Sequence, residues 1–532
     1  MQAKPKTRGT DSSIRRALSH WYGSRLGVFF QSVLIGILAG IVVVVFRLLL
    51  EDAERFRIRA YEFLRRSSPL YLAGWVVLVL AVGLFLGWAC GKRPMIRGSG
   101  IPQIKGALLR KMRLEWLPEL PLKIVTGVLG IGFGLSLGRE GPSVQIGAYI
   151  GKGVLGIARR PAVERKYLIT SGAAAGLAAA FNAPLAGVLF ALEELHKHFS
   201  PLLLACAMGA SVAGDFVASH FFGLGPAFDF HQIVPLPVGM LPWVALLGAL
   251  CAGMGDLFKR SLFAAQDLYL ALRIPPNLRP AAALLVSVPL GFFLFDVTGG
   301  GHALIETLWR ENPGIGLLAV LLAGKLVFSA LSYGSGTAGG IFLPLLACGA
   351  LTGKLFGTAL AGFGLAEPGN ALNFMILGMA AFFTGVVRAP VTGAVLILEM
   401  SGNFNHFAGL IASCLVAFVV GDLIRSKPVY DVLLERLLAR NPGAFKPVHG
   451  RKLVLEIPVA EGSRLSHRLV RDVSWPSVCL VVGVERGEDQ IIPRGGTKIH
   501  PGDQLHVLVD EEDAAEVKES LLGMGERHGE TG

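Results

Sequence analysis

Residues 138–142 read Gly138-Arg139-Glu140-Gly141-Pro142, a charged pentapeptide set between two apolar runs. Two further strings combine glycine and proline in the same way, Gly98-Ser99-Gly100-Ile101-Pro102 and Gly339-Gly340-Ile341-Phe342-Leu343-Pro344. Proline suits the first turn of a helix, where its missing N–H costs nothing, and glycine lets the preceding backbone turn sharply. Each string therefore predicts a helix that begins abruptly inside an apolar region. Such helix N-termini present unpaired N–H groups and partial positive charge, which together favour an anion.

The composition around these strings is that of a polytopic membrane protein. Of 532 residues, 52% are hydrophobic and 17% are charged, against about 25% charged in soluble domains. Several apolar runs, such as 27–50 and 71–89, approach the roughly 20 residues that span a bilayer. Both a large soluble protein and a disordered chain are therefore excluded.

The charged residues also bear on partners and orientation. Lys and Arg exceed Asp and Glu by 50 to 38, a net charge of +12, but the excess lies mostly in tails and loops, as the positive-inside rule requires. We therefore predict no nucleic-acid partner and a cytoplasmic N-terminus. The six cysteines form no CxxC pair, and we predict neither a metal site nor a cofactor.

An internal repeat is detectable by direct comparison of two stretches. A shift of 202 positions lays Lys123–Lys152 over Lys325–Lys354 with eleven of 30 columns identical, including both pairs of terminal lysines. A shift of 206 lays Gly172–Glu193 over Gly378–Glu399 and matches their terminal glycines and glutamates. Broken helices within a duplicated chain are typical of transporters. The residues alone leave open whether the two halves run parallel or inverted.

Two glutamates are candidates for proton chemistry. A carboxylate in an apolar break, such as Glu140, is costly unless it titrates, pairs or lines water. At an anion site it would compete with the anion when ionised and withdraw when protonated; the alternative is a salt bridge to Arg139. The repeat pairs Glu193 with Glu399 and so indicates an architectural role, which leaves the unmatched Glu194 for proton transfer or for a solvated helix end.

Changes in composition predict five segments. Residues 450–525 are polar, with strand-like runs at 452–459, 477–485 and 504–509 and a charged helix at 511–522. This pattern predicts a small α+β domain. The segments are a cytoplasmic N-terminal segment (1–26), a membrane domain (27–430), a linker (431–449), the cytoplasmic C-terminal domain (450–525) and a tail (526–532).

In their order along the chain, the strings at 98–102, 138–142 and 339–344 resemble the three signature motifs of the CLC family of chloride channels and proton-coupled chloride transporters. The resemblance covers roughly residues 25–435. It implies an all-α polytopic fold of two inverted halves with broken helices, which forms a homodimer in the lipid bilayer. We expect this fold in the inner membrane of a bacterium, with both termini cytoplasmic and with chloride and protons as partners, and we expect no enzymatic activity.

The resemblance also assigns roles to individual residues. It implies that chloride is coordinated by Ser99, by the N–H groups of Ile341 and Phe342, and by the hydroxyl of Tyr430. Glu140 matches the external gating and proton-carrying glutamate, and Glu194 matches the internal proton-transfer glutamate. Helix N-termini would be supported by Gly98, Gly100, Pro102, Arg139, Gly141 and Gly340. Family members that prefer nitrate have proline at position 99, so Ser99 favours chloride.

Two positions depart from the family pattern. Gln103 stands where glutamate is frequent, and Leu343 replaces a small residue; neither is an expected ligand.

Exchange of protons for chloride is the favoured function. A passive voltage- or pH-gated chloride channel is the alternative, and a sensor built on a degenerate membrane scaffold is a third hypothesis.

The C-terminal domain has a resemblance of its own. Leu455–Ser463, Ile492-Pro493-Arg494 and Pro501–Leu505 resemble the TrkA-C domain, which in its relatives binds small regulators, in some cases cyclic dinucleotides. A cytoplasmic nucleotide is therefore a candidate partner of residues 450–525. A dimerising tail without ligand is the alternative.

Overall fold

The computed structural model describes residues 10–157, 164–197, 200–228, 230, 233, 236–440, 452–487, 489–510 and 513–525. The chain divides into a large helical unit and a small unit that is mainly C-terminal and also includes residues 106–113.

The large unit is built from α-helices of very unequal length. They are α1 Thr10–Leu64, α2 Pro69–Lys92, α3 Ile101–Leu108, α4 Trp116–Gly132, α5 Glu140–Ile157, α6 Arg165–Phe181, α7 Pro184–Phe190, α8 Pro201–Phe222, α9 Leu241–Ala271, α10 Arg279–Phe293, α11 His302–Arg310, α12 Ile315–Gly334, α13 Phe342–Gly362, α14 Asn370–Val387, α15 Pro390–Ser401, α16 Phe407–Leu423 and α17 Val429–Arg440.

The lengths of these helices confirm the predicted polytopic fold. Within the described residues, eight helical segments are long and apolar enough to cross a membrane. The others include α3 and α7, with eight and seven residues, which are too short to span a bilayer. A single helix, α1, runs without a break across position 26, where the sequence predicts a segment boundary.

Glycines at repeat-related positions let two helix pairs pack backbone against backbone. A Cβ on Gly147 of α5 would lie 1.9 Å from the carbonyl oxygen of Gly172 of α6, and a Cβ on Gly172 would lie 2.0 Å from that of Gly147. Their counterparts Gly349 of α13 and Gly378 of α14 approach in the same way, at 2.6 and 2.5 Å. Small residues permit such close contact between membrane helices, and its recurrence confirms the duplication.

A reciprocal pair of carboxylate caps fixes the relative direction of the two halves. Glu193, beyond the end of α7, accepts hydrogen bonds from the N–H groups of Val391 and Thr392 at the start of α15 (3.3 and 2.8 Å). Glu399, near the end of α15, accepts hydrogen bonds from the N–H groups of Leu185 and Ala186 at the start of α7 (3.0 and 2.7 Å).

Because each carboxylate meets the N-terminus of the repeat-related helix, α7 and α15 run antiparallel. The halves are therefore inverted, and the predicted architectural role of Glu193 is confirmed. Carboxylates at helix N-termini also satisfy N–H groups that would otherwise lack partners.

The small unit is an antiparallel sheet with one helix. Strands β1 Lys452–Pro458, β2 Cys479–Arg486, β3 Asp489–Ile491 and β4 Gln504–Asp510 have the order β1-β4-β2-β3, and α18 Ala514–Gly525 follows. The three predicted strands are confirmed, while the three-residue β3 is too short for a hydrophobic pattern.

A buried carboxylate secures the turn before β4. Asp503 accepts two hydrogen bonds from the guanidinium of Arg486 (2.7 and 2.8 Å). Although burial opposes it, these hydrogen bonds lower the pKa of Asp503.

We predict that Gly147→Ala destabilises the membrane unit, because the new methyl group would meet the backbone of α6. Overpacking of this kind costs typically about 1–3 kcal/mol. Gly156→Ala in the same helix is the matched control, because its Cβ would meet no atom within 4 Å and alanine has the better helix propensity. Thermal unfolding in detergent, followed by tryptophan fluorescence, should show a lower midpoint for Gly147→Ala alone. Equal midpoints for both variants would contradict the close backbone packing.

Candidate functional site

The backbones of the three glycine-proline strings are hydrogen-bonded to one another. The N–H of Gly98 donates to the carbonyl of Thr337 (3.1 Å), and the N–H of Gly339 donates to the carbonyl of Gly98 (3.0 Å). Gly138 and Gly340 exchange both of their backbone hydrogen bonds, at 2.7 and 2.8 Å. Strings separated by up to about 240 residues of sequence therefore meet at one centre, with the starts of α3, α5 and α13 around it.

Two of these glycines have backbone conformations that disfavour any side chain. Gly98 and Gly100 have φ values of +61° and +87°, a region that glycine enters without strain. Gly141 is required for a different reason, because a Cβ there would lie 2.8 Å from both the Cβ and the carbonyl oxygen of Ser99.

A buried lysine in each half holds the backbone that leads into the site. The Nζ of Lys123 donates to the carbonyls of Ile96 and Gly98 (2.8 and 2.7 Å). The Nζ of Lys325, its partner in the repeat, donates to the carbonyls of Val297 and Gly299 (3.1 and 2.9 Å). Both lysines are fully buried. The matched lysine column of the repeat therefore corresponds to a duplicated carbonyl clamp.

The predicted chloride ligands come from three different elements. Ser99 is buried two residues before α3, and its Oγ accepts a hydrogen bond from the N–H of Ile101 (3.3 Å). Ile341 and Phe342 are buried at the start of α13, and Tyr430 is buried in the first turn of α17. In the described part of the chain, the Tyr430 hydroxyl has no hydrogen-bond partner.

Aromatic contacts connect α13 with α17. The ring of Phe190, in α7, lies 6.2 Å from the ring of Phe342 and 6.5 Å from that of Tyr430, perpendicular to the latter. Two of the predicted ligands therefore contact the same phenylalanine, although 88 residues separate them in the sequence.

Glu140 is the first residue of α5 and is fully buried. Among the described residues, neither of its carboxylate oxygens has a hydrogen-bond partner of normal geometry. A Cβ on Gly138 would lie 2.2 Å from its Oε2 and 3.0 Å from the backbone nitrogen of Leu343, so the carboxylate is close to the start of α13. The alternative of a salt bridge to Arg139 is wrong, because that guanidinium lies 3.7 Å from the carboxylate of Glu51.

Glu194 lies on a single π-helical turn, Ala191–His196, that continues α7. It is buried, and its Oε1 accepts a hydrogen bond from the Nζ of Lys105 (2.7 Å). The alternative of a solvated helix end is therefore wrong. Both Glu140 and Glu194 act electrostatically on Tyr430.

Residues 82–422, about two thirds of the chain, match the voltage-gated chloride channel family. The chain belongs to this family. Residues 454–522 match the TrkA-C domain, as the sequence predicts. A relative from Vibrio parahaemolyticus, the H(+)/Cl(-) exchange transporter ClcA, is 36% identical over 433 residues, or 78% of this chain and 90% of its own length.

Solved structures of the CLC family have the same fold. The crystal structure of a slow cyanobacterial Cl-/H+ antiporter matches with a TM-score of 0.74 and 29% identity, and the match covers 78% of this chain and 99% of that one. A eukaryotic CLC transporter matches with a TM-score of 0.65 and 26% identity over 78% of this chain and 74% of its own.

Three polar residues near the site are absent from the sequence-based predictions. A Cβ on Gly98 would lie 3.0 Å from the hydroxyl of Tyr333, which places a further hydroxyl beside Ser99. Lys105 contacts both Glu194 and Asp431. In the sequence, these residues stand out only by lying close to one of the three strings or to a predicted ligand. Closeness in sequence does not show which residues they contact.

Gln103, where the family frequently has glutamate, does not point to a separate role. Its side chain donates a hydrogen bond to the carbonyl of Arg97 (2.7 Å).

Proposed function

We propose that this protein exchanges chloride for protons across a membrane. The observation that carries this proposal is the buried carboxylate of Glu140, which lies where three broken helices meet and makes no regular hydrogen bond with the described residues. An ionised carboxylate without a partner is costly in an apolar interior unless it takes up a proton or lines water. The name and 36% identity of the Vibrio relative, matched over 90% of its length, support the same conclusion.

The anion site in this proposal uses dipoles and hydroxyls in place of a paired cation. Chloride is bound by the N–H groups of Ile341 and Phe342 and by the hydroxyls of Ser99 and Tyr430. Gly98, Gly100, Pro102, Arg139, Gly141 and Gly340 support the helix N-termini that face it. Partial charges hold an ion firmly enough to select it and weakly enough to release it, as permeation requires.

Glu140 couples the two ions through competition for one place. When ionised, the carboxylate of Glu140 repels chloride or occupies the chloride position near α13. When protonated, it withdraws and lets chloride enter. Glu194 delivers protons from the cytoplasmic side. A passive channel of the same fold would need no second buried acid, so the burial and pairing of Glu194 favour exchange over the channel. The intact set of site residues likewise disfavours a pure sensor.

The proposal extends to the setting of the protein. Residues 27–430 form the transport domain of an inner-membrane homodimer. Light scattering of the detergent-solubilised protein would give a monomer mass if this is wrong.

The C-terminal part of the proposal concerns regulation. Residues 1–26, 431–449, 450–525 and 526–532 lie on the cytoplasmic side, where the TrkA-C domain takes a nucleotide and modulates the transport rate. Calorimetric titration of the full-length protein with a cyclic dinucleotide tests this, and an absence of heat would favour the dimerising tail.

The direct test of exchange is a reversal potential in liposomes with opposed chloride and pH gradients. The purified protein should give a potential that depends on both gradients. A potential set by chloride alone would reject exchange in favour of the channel.

The same assay tests the two glutamates. Glu140→Gln imitates the protonated carboxylate, so chloride should still move and the pH gradient should no longer shift the potential. Glu194→Gln should also abolish proton coupling while chloride transport continues, because Glu194 does not touch the anion. Chloride-driven proton transport that persists in Glu140→Gln would refute the proposed role of that residue.

Selectivity should depend on Ser99. A hydroxyl donates one directed hydrogen bond to a small anion, whereas proline offers neither a hydroxyl nor a backbone N–H. Ser99→Pro should raise nitrate transport relative to chloride transport, and Ser99→Ala, which loses the hydroxyl alone, should show how much of the change the hydroxyl explains. An unchanged nitrate-to-chloride ratio in a folded Ser99→Pro protein would contradict a ligand role.

A further inference from the structure

A charged cluster connects Glu194 with the helix that carries Tyr430. The ammonium of Lys105, on α3, lies 2.7 Å from Oε1 of Glu194 and also contacts Oδ1 of Asp431. Asp431 directly follows Tyr430 on α17, and its Oδ2 lies 2.5 Å from the Nζ of Lys197. One lysine therefore contacts both the predicted proton-transfer glutamate and the residue that follows the predicted chloride ligand Tyr430.

The cluster becomes more buried toward Glu194. The side chains of Glu194 and Lys105 are 2% and 5% exposed, that of Asp431 is 31% exposed, and that of Lys197 is 49% exposed. Among the described residues, the charged groups Lys105, Asp431 and Lys197 act on Glu194. His196 lies on the same π-helical turn, with its Nε2 2.6 Å from Oγ1 of Thr170.

The charges of this cluster depend on the proton at Glu194. With Glu194 ionised, two carboxylates balance two ammonium groups. A proton on Glu194 leaves one positive charge in excess at the buried end, and an uncompensated buried charge is strongly destabilising. Of its two carboxylate partners, Lys105 then keeps only Asp431 as an anion. Protonation of Glu194 therefore strengthens the ion pair between Lys105 and Asp431 of α17.

The two helices that Lys105 and Asp431 join are the ones that position the hydroxyl ligands. Ser99 lies two residues before α3, and Tyr430 lies within the first turn of α17. The contact between Lys105 and Asp431 therefore links the two chain segments that carry these hydroxyls.

We infer that Lys105 and Asp431 are positioning residues that transmit the proton occupancy of Glu194 to the Tyr430 end of the chloride site. This inference rests on the proposed exchange function and adds a mechanism to it. Neither residue contacts chloride. Together they make the arrangement of the hydroxyl ligands depend on whether a proton is bound at Glu194, and a ligand shifts an equilibrium only through such differential interactions.

The test measures reversal potentials of four variants in liposomes with opposed chloride and pH gradients. Lys105→Met and Asp431→Asn each remove one end of the link, and Lys105→Arg keeps the charge. Arg436→Met is the matched control, because Arg436 also lies on α17 but pairs with Asp267 of α9 (3.1 Å) and not with a member of the cluster.

We expect protons moved per chloride to fall by about fivefold or more in Lys105→Met and in Asp431→Asn, the lower end of typical coupling between sites. Chloride transport should remain measurable in both variants. Lys105→Arg should restore most of the coupling, and Arg436→Met should couple like the wild type. A purely structural ion pair would lower stability and total transport together and leave the ratio of protons to chloride unchanged.

The outcomes separate this inference from the proposed function. An uncoupled wild-type protein would overturn exchange and this inference with it. A coupled wild type whose coupling survives in Asp431→Asn would overturn the inference alone. If Lys105→Met does not fold, Asp431→Asn decides the question. Asp431 is partly exposed, and the asparagine amide has the same shape as the carboxylate that it replaces.

Discussion

Backbone N–H groups at the start of a helix lack partners within that helix, and inside a bilayer no water replaces them. Most of this structure depends on how that constraint is met at the starts of α3, α5 and α13. The glycines of the three strings bond to one another across the centre and hold three helix starts together. Unpaired N–H groups at helix starts of this kind favour a bound anion.

The inverted duplication supplies the framework for this centre. Glu193 caps the start of α15, and Glu399 caps the start of α7. Lys123 and Lys325 donate hydrogen bonds to backbone carbonyls of equivalent loops in the two halves. In each case a charged side chain satisfies backbone groups that the broken helices leave unpaired. Partly or fully buried charges are thereby used twice, once in each half, to hold irregular backbone in place.

The sequence predicts the fold and the location of the site because both depend on local features. Glycine, proline and isolated charges are conspicuous in apolar segments, so the three strings, the lysine columns and the paired glutamates are all visible without a structure. The direction of the two halves is not visible in the residues themselves, because a repeat has the same sequence signature whether it is parallel or inverted. It follows from the resemblance, and the caps of α7 and α15 establish it.

Contacts between remote segments could not be predicted. Nothing near Lys105 indicates that Asp431, 326 positions later, shares its ammonium with Glu194. Likewise, Arg139 pairs with Glu51 and not with its neighbour Glu140, because side-chain direction at a helix start decides which carboxylate is in reach. Tyr333 is similarly inconspicuous until α12 places its hydroxyl beside Ser99.

The central claim is that an anion is held where the three broken helices meet, by N–H groups and hydroxyls. Anomalous diffraction from crystals soaked in bromide tests it most directly. This account predicts an anomalous peak in hydrogen-bonding contact with Ser99, Tyr430 and the N–H groups of Ile341 and Phe342. Bromide found only beside lysine or arginine side chains, with no peak at this centre, would contradict it.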